Sequence, residues 1–359
     1  MKICVYAISK NEEKFVSRWV KSMSEADEIY VLDTGSTDNT VKKLKEANVN
    51  VTTKIISPWR FDVARNESLK LVPNDTDICV CTDLDEVFVP GWRKELEKQW
   101  TKNTTRARYN YNWRLDKDNN PIVNFYIEKI HTKNDYKWIH PVHEILNYTK
   151  ENENIITLKN ITLNHYPDKT KSRSSYLPLL ELSVEEDKEN DRNMHYLGRE
   201  YMYYGKWQMA ITTLKKHLSL PSAKWKDERA ASLRFISRCY KNLNNYPEAR
   251  DYLNKAIEEA PHLRDAYVER AILEYELNNY EETEKYCLKA LKITTHEKTY
   301  INEPFSWDHT IYDLLAISCY NLKKYNYAVY FNNLALQISK DNERLKSNHK
   351  IYLEKEKVS

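Results

Sequence analysis

The hydrophobic pattern of roughly the first 100 residues alternates between short apolar runs and amphipathic stretches. The apolar runs predict strands at residues 3–8, 28–32, 51–56 and 77–82. Between the first two runs, residues 15–23 place their apolar side chains on one side of a helix. Because strands alternate with helices, we predict an α/β domain with a mostly parallel sheet.

The pattern changes in the segment from residue 103 to residue 165. Further strands are predicted at residues 108–113, 122–130, 138–145 and 155–164. Polar turns join these strands. We therefore expect an antiparallel extension of the sheet.

From residue 191 the sequence repeats at an interval of about 34 residues, which is the length of a tetratricopeptide repeat. The clearest unit, 230–263, carries the residues of four signature positions: Tyr240, Ala249, Ala256 and Pro261. Other units begin near residues 191, 264 and 309. Small residues recur in such units because the paired helices pack closely, so we predict an all-α tetratricopeptide-repeat domain.

These patterns divide the chain into four segments. We predict an α/β domain at 1–168, a helical connector at 169–190, the repeat domain at 191–345 and a C-terminal tail at 346–359. The polar stretch from Pro167 to Arg173 is the expected domain boundary.

The amino-acid composition indicates which binding partners and which cell compartment to expect for this protein. The net charge of +3, from 56 basic and 53 acidic residues, predicts neither a nucleic-acid partner nor an acidic membrane surface. No apolar run approaches the length that spans a bilayer, so we expect no membrane insertion. The six cysteines have no metal-site spacing and are interpreted as reduced core thiols, as expected of a cytoplasmic protein.

Candidate ligand-binding side chains follow the predicted strands of the first domain. Asp83 and Asp85 directly follow the fourth strand, and Asp33 follows the second. The loop after the first strand carries Ser9, Asn11 and Glu12. Ligands of open α/β sheets bind beyond the carboxyl ends of the strands, where two carboxylates suit Mg²⁺ or Mn²⁺. The alternatives are a solvated loop at Asp83 and Asp85, and helix caps elsewhere.

With only four glycines, the chain cannot build a glycine-rich phosphate loop, which favours a metal-held diphosphate instead. At this point residues 1–175 resemble the family 2 glycosyltransferases of the GT-A fold. The resemblance rests on these motifs: Asn11-Glu12-Glu13, Asp33-x-x-Ser36-x-Asp38-x-Thr40, Trp59 to Asn66, Asp83-x-Asp85, Val142-His143-Glu144 and His165-Tyr166. The usual family pattern has Asp-Asp where this chain has Asp33-Thr34.

The resemblance implies a nucleotide-sugar donor, with UDP expected as the nucleotide, and a Mn²⁺ or Mg²⁺ ion. Asp33 would contact the base, while Asp83 would hold the ribose or share in binding the metal. Asp85 would bind the metal, completed by His165 or His143, although a lone histidine is more often structural. Arg65 is a candidate to neutralise phosphate, with a surface salt bridge as the alternative.

An inverting transfer needs a base that deprotonates the acceptor. Glu144 is the best-placed carboxylate for this role, and Asp116, in a stretch that resembles an ordinary turn, is the second candidate.

The repeats beside such a domain resemble the architecture of bacteriocin glycosyltransferases, which modify cysteine or serine side chains of a peptide. This implies a hexosyl transfer to a Cys or Ser/Thr side chain, with repeats that recruit the peptide or protein acceptor. One alternative is a glycosyltransferase that acts on a cell-wall or capsular saccharide. Another is a non-catalytic repeat scaffold. The repeats could also buttress the first domain or form a homodimer.

Overall fold

The computed structural model describes residues 1–168, 170–171 and 174–358. The chain forms two compact units, Met1–Glu186 with Lys298–Tyr300, and Asp187–Glu297 with Ile301–Ser359. The predicted domain limits stay a prediction. Part of the expected boundary, including Lys169 and Arg173, lies outside the described residues.

The first unit begins with alternating strands and helices and continues with a strand-rich segment. In chain order its elements are β1 (Ile3–Ser9), α1 (Val16–Met23), β2 (Glu28–Asp33), α2 (Thr40–Glu46), β3 (Asn50–Thr53), α3 (Phe61–Leu71), β4 (Ile78–Cys81), β5 (Glu86–Phe88), α4 (Trp92–Gln99), β6 (Arg106–Leu115), β7 (Pro121–His131), β8 (Tyr136–Ile139), β9 (Ile145–Tyr148), β10 (Ile155–His165) and α5 (Tyr176–Glu186).

Eight of these strands form one mixed sheet in the order β3-β2-β1-β4-β7-β6-β10-β5. The strands β3, β2, β1 and β4 are parallel. Strand β7 pairs antiparallel with both β4 and β6, whereas β6 and β10 are parallel. The predicted parallel sheet is thus confirmed, and its extension is antiparallel except where β10 runs parallel to β6. The carboxyl ends of β1, β2 and β4 lie at one edge, which brings the candidate loops together.

One predicted strand is wrong. Residues 138–145 form parts of two strands, β8 and β9, which make a separate antiparallel hairpin. His140 and His143 between them have positive φ values of 77° and 52°, a left-handed conformation that interrupts a strand. The loop at 140–144 therefore projects Glu144 from a turn. Strand β5 and helix α4 were also missing from the sequence prediction.

The main core of the first unit includes α1, α4 and the side chains of the sheet that pack against them. Trp19 and Trp92 are buried in it, and the Trp19 indole N–H donates to Thr82 Oγ1 at 3.0 Å. Leu84, the residue between Asp83 and Asp85, is also buried in this core. A buried Leu84 fixes the turn that carries the two carboxylates.

The second unit consists of helical hairpins followed by one further helix. Its helices are α6 (Asp191–Tyr203), α7 (Trp207–Ser219), α8 (Lys226–Asn242), α9 (Tyr246–Glu259), α10 (Arg264–Glu276), α11 (Tyr280–Leu291), α12 (Thr310–Asn321), α13 (Tyr325–Ile338) and α14 (Glu343–Glu356). Each of the four hairpin turns contains one residue with a positive φ: Gly205, Asn244, Asn278 and Lys323. The recurring turn confirms the repeat predicted from the sequence.

Small residues lie where the paired helices meet. Ala249, Ala256 and Ala290 are fully buried, as the repeat pattern predicts. At Gly198 an added Cβ would lie 2.5 Å from Leu214 Cγ, so α6 and α7 approach each other more closely than an alanine allows. Across the described part of the chain, no helix combines the length and apolar character needed to cross a membrane.

Candidate active site

The loop after β2 is organised around Asp33, which is fully buried. Its carboxylate accepts hydrogen bonds from the Ser9 hydroxyl at 3.0 Å, from the backbone N–H of Gly35 at 3.1 Å, and from both the N–H and hydroxyl of Ser36. Gly35 has a φ of 107°, which permits this tight turn. Asp33 and Ser9 thus join the ends of β1 and β2, while contact of Asp33 with a nucleotide base stays a prediction.

The loop after β1 is tied to the same structure. The Asn11 backbone N–H donates to Ser36 Oγ at 2.8 Å, and the Asn11 side chain accepts from the Thr37 N–H at 2.8 Å. Asp38 accepts a hydrogen bond from the Thr40 backbone N–H at the first residue of α2. The two loops therefore form one rigid edge above β1 and β2.

Glu12 lies among the other candidate carboxylates and forms an ion pair with Lys171. Burial raises the pKa of Glu12 to about 7; Lys171 counteracts this, and Asp85 and Asp83 raise it further. The dependence on Asp83 and Asp85 indicates that the loop after β1 and the loop after β4 face the same space.

Asp83 is held by two cations at the end of β4. Arg65 Nη2 lies 2.9 and 3.2 Å from its two oxygens, and Lys129 Nζ lies 3.1 Å from Oδ2. Burial alone would raise the pKa of Asp83, but Arg65 and Lys129 outweigh it and lower the pKa well below its usual range. Asp83 is therefore ionised and already balanced by charges of the protein.

Asp85 faces His165 across the edge of the sheet, with Asp85 Oδ2 and His165 Nε2 3.3 Å apart. His165 Nδ1 lies 3.0 Å from the Trp113 carbonyl oxygen, which can only accept a hydrogen bond. The proton on Nδ1 leaves a lone pair on Nε2 of the neutral ring, directed at a carboxylate oxygen. Two electron-rich atoms at this distance need a proton or a cation between them.

Arg65 connects Asp83 with Glu144. Its side chain is buried, its Nε donates to Glu144 Oε1, and its guanidinium lies 5.2 Å from the Trp138 ring centroid. Arg65 does form salt bridges, the alternative that the sequence analysis gave for it, but they are buried and do not lie on the surface. Its proposed contact with phosphate stays a prediction, and the structure assigns the guanidinium to holding two carboxylates.

His143 and Asp116, the other candidates from the sequence, both lie in turns. His143 occupies the turn before Glu144, and its ring meets Tyr176 edge-on at 5.8 Å. Asp116 lies in the exposed turn between β6 and β7, where it accepts hydrogen bonds from the backbone N–H groups of Asp118 and Asn120. These bonds match the turn role that the sequence offered as the alternative for Asp116.

Two residues of this site escaped the sequence analysis. Lys129 on β7 contacts both Asp83 and Glu86, and Glu86 accepts hydrogen bonds from the Tyr111 hydroxyl at 2.7 Å and from the Asp83 N–H at 2.9 Å. Glu86 is 1% exposed, and burial raises its pKa. The sequence signal for Lys129 was a lysine inside a strand with many apolar residues. Unless the pairing of β7 with β4 is known, such a lysine indicates only that one face of the strand is exposed to solvent.

Residues 4–157 match the model of the family described as Glycosyl transferase family 2. They form a family 2 glycosyltransferase domain. This match confirms the predicted enzyme class and, with the mixed sheet and the helical hairpins, the predicted fold class. The donor class of such a glycosyltransferase domain is a nucleotide sugar.

Several solved structures are similar to parts of the chain. A thermophilic TPR protein of Thermus thermophilus is 16% identical, covering 50% of this chain and 90% of its own, with a TM-score of 0.36. YrrB, a TPR protein with an unusual peptide-binding site, is 14% identical, covering 50% and 84%, with a TM-score of 0.40. Glucosyl-3-phosphoglycerate synthase from Mycobacterium tuberculosis is 24% identical, covering 31% and 44%, with a TM-score of 0.27. A comparison with curated proteins returned no significant match.

Proposed function

We propose that the chain is a metal-dependent inverting glycosyltransferase that moves a sugar from a UDP-sugar to a peptide or protein side chain. The observation that carries the proposal is the facing pair of Asp85 and His165 within the family 2 glycosyltransferase domain. The pair lies at the carboxyl edge of the sheet, beside the loops that carry Glu12 and Asp83.

The donor set of this pair fits a divalent cation. Asp85 offers a carboxylate oxygen, and His165 offers the Nε2 lone pair that its bond to the Trp113 carbonyl directs toward Asp85. Mg²⁺ and Mn²⁺ sites commonly use few protein ligands and complete their coordination with water and substrate phosphate oxygens. A bound ion would neutralise the negative charge that develops on the leaving diphosphate.

Asp83 has a different task in this proposal. Since Arg65 and Lys129 already balance its charge, Asp83 is better suited to accept hydrogen bonds from the donor's ribose than to complete the metal shell. This favours one of the two roles that the sequence left open. Asp33 and Ser9 support the base end of the donor by holding the adjacent loops together.

Glu144 is the proposed base, and its ion pair with Arg65 affects which acceptors it can deprotonate. The carboxylate is partly buried, and the guanidinium holds it in one orientation. A base held in this way removes the acceptor proton best when the acceptor is itself acidic or when its approach loosens the ion pair. A cysteine thiol, already partly ionised near neutral pH, fits that requirement better than a serine hydroxyl.

The helical hairpins of the second unit support a peptide or protein acceptor, because repeat arrays present extended surfaces for chains of this kind. The same hairpins would serve only assembly if the acceptor were a cell-wall or capsular saccharide. Acceptor class is therefore a separate question from donor chemistry and needs its own test.

Titration calorimetry with UDP and Mn²⁺ tests the donor site. The wild-type chain should bind UDP more tightly with Mn²⁺, and Asp85→Asn should lose that dependence, whereas Asp118→Asn in the exposed β6–β7 turn should not. Glu144→Gln should retain UDP and Mn²⁺ binding but transfer sugar about 10²–10⁴-fold more slowly, with a smaller loss for Cys than for Ser peptides. Metal-independent UDP binding, or normal transfer by Asp85→Asn, would refute the metal assignment.

A further inference from the structure

Three buried ionisable side chains meet in the second unit, away from the residues assigned to sugar transfer. They come from three successive helices: His195 from α6, His217 from α7 and Glu228 from α8. One ligand atom of each lies within 4.8 Å of the others. Both histidines are 0% exposed and Glu228 is 4% exposed. Burying an imidazole nitrogen is costly unless it is satisfied, so the ring nitrogens of both histidines need partners.

Ser232 orients both imidazole rings. Its hydroxyl oxygen lies 2.7 Å from His195 Nδ1 and 3.0 Å from His217 Nδ1. A hydroxyl oxygen has two acceptor lone pairs, so it can accept an N–H from each ring at once. In that arrangement the Nε2 atom of each ring carries its free lone pair. Histidines that bind metals through one nitrogen commonly donate the other N–H to such an acceptor, which fixes the ring orientation.

The Nε2 atoms are the unexplained part of the cluster. Within the described residues, neither His195 Nε2 nor His217 Nε2 has a hydrogen-bond partner, although His217 Nε2 lies 3.4 Å from Glu228 Oε1. A buried nitrogen left without a partner costs on the order of 1–3 kcal/mol, and such atoms in native proteins commonly mark an ion or a water.

We propose that His195, His217 and Glu228 bind a zinc ion that stabilises the start of the helical unit. Two imidazole nitrogens among three ligands favour Zn²⁺ and related transition metals, because Mg²⁺ and Mn²⁺ are bound mainly by oxygen atoms. Two histidines and one glutamate are an established zinc-binding combination, with the fourth position left for water. The ion would link α6, α7 and α8 at one point. It would act in folding stability and take no part in sugar transfer.

The test uses the full-length, tag-free chain after removal of metals with a chelator. Zn²⁺ binding is measured by calorimetry and by metal analysis after dialysis, and the ligand geometry by the visible absorption of Co²⁺-loaded protein. The His165→Asn background removes the imidazole of the donor site, so that the remaining Zn²⁺ stoichiometry reports the helical unit. The variants are His217→Asn, Glu228→Gln and Ser232→Ala, with His262→Asn as the matched control, since His262 forms an exposed pair with Asp227 in the same unit.

We expect one Zn²⁺ per chain in the His165→Asn background, a tetrahedral Co²⁺ spectrum and a higher Tm with Zn²⁺ than without it. His217→Asn and Glu228→Gln should lose the Tm increment, even if their metal-free Tm is lower. Ser232→Ala should keep the site with about 10–100-fold weaker affinity, and His262→Asn should behave as the parent. The proposal is overturned if the parent binds no Zn²⁺, or if His217→Asn and Glu228→Gln keep the same stoichiometry and Tm increment.

Discussion

At the scale of single residues, Lys129 has the largest unexpected role in the site. Its ammonium lies between Asp83 and Glu86, at 3.1 and 3.2 Å, and Glu86 is almost fully buried. Both carboxylates raise the pKa of Lys129 above its usual range, against the effect of burial. The lysine therefore stays charged and holds two acidic side chains that would otherwise repel each other.

Removing this charge should destabilise the first unit. Lys129→Met leaves Glu86 buried without its cation, and breaking a buried ion pair costs about 3–5 kcal/mol. Chemical denaturation followed by tryptophan fluorescence measures the loss. Lys129→Arg should lose less, and Lys137→Met on β8, where the lysine is exposed, should stay within about 0.5 kcal/mol of wild type. Equal stability of the Lys129→Met and Lys137→Met variants would contradict the role given to this ion pair.

Glu12 makes the stability of the chain depend on pH near neutrality. Because its pKa is raised to about 7 in the folded chain, the folded state holds a proton there that the unfolded state has lost. Its contribution to stability therefore falls as the pH rises from Glu12's ordinary pKa to about 7. Replacing the Glu12 carboxyl with an uncharged amide should make the free energy of unfolding depend less on pH.

We expect Glu12→Gln to reduce the loss of unfolding free energy between pH 5 and pH 8 by about 1–2 kcal/mol. Urea unfolding at a series of pH values measures the free energy of unfolding of both chains. The neighbouring Glu13→Gln is the control with the opposite sign, because hydrogen bonds involving Asn39 lower the pKa of Glu13. That contribution is present at neutral pH and is lost as the pH falls. Parallel pH profiles for wild type and Glu12→Gln would rule out the raised pKa.

At the scale of elements, the packing of the first helical hairpin depends on the absence of a side chain at Gly198. Gly198→Ala would place a methyl group 2.5 Å from Leu214 Cγ, which forces α6 and α7 apart and should cost about 1–3 kcal/mol. Gly205→Asn is the matched variant in the same hairpin. Its φ of 69° is the conformation that Asn244 and Asn278 adopt in the equivalent turns, so it should change stability by less than about 1 kcal/mol.

Thermal unfolding followed by circular dichroism at 222 nm separates the two variants. The predicted order of Tm is Gly198→Ala well below Gly205→Asn, with the latter close to wild type. A Gly198→Ala chain as stable as wild type would show that Leu214 can move aside at no cost.

The elements also show what the sequence could predict. Local periodicity identified β1, β2 and β4 and the helical hairpins, because each depends on residues close together in the chain. Loops that follow parallel strands meet at one edge, so the nearness of Glu12, Asp83 and Asp85 could be inferred without coordinates. The split of 138–145 into β8 and β9 could not, since it depends on left-handed backbone at two histidines.

The ion-pair chain at the site could not be predicted either. The contact of Lys129 with Asp83 depends on β7 pairing antiparallel with β4, a register set by residues about 50 positions apart. The Arg65–Glu144 pair similarly depends on the loop after β8. Sequence motifs therefore named Asp83, Asp85, Glu144 and Arg65. The roles of Lys129 and Glu86, and the pairing of these charges, required the tertiary structure.

At the scale of the whole molecule, the chain has two units with separate hydrophobic cores. If the repeats recruit the acceptor, a chain truncated after Glu186 should keep UDP binding and slow hydrolysis of the donor but lose transfer to peptides. All the residues proposed for sugar transfer precede that point. Donor hydrolysis and peptide transfer, measured side by side on full-length and truncated chains, give the comparison.

The truncated chain must first show that it is folded, by circular dichroism and by monodisperse size-exclusion chromatography. Full peptide transfer by a folded truncated chain would refute recruitment by the repeats. Transfer to a saccharide but to no peptide, by either chain, would favour the cell-wall or capsular acceptor.

The six thiols are distributed evenly between the two units, with Cys4, Cys79 and Cys81 in the first and Cys239, Cys287 and Cys319 in the second. All are buried and free, and burial raises the pKa of each, to about 11 for Cys81 and about 12 for Cys239. An alkylating reagent can therefore reach them only when the surrounding helix or strand opens. Peptide-resolved labelling rates would give an opening free energy for each unit separately, under native conditions and without any engineered cysteine.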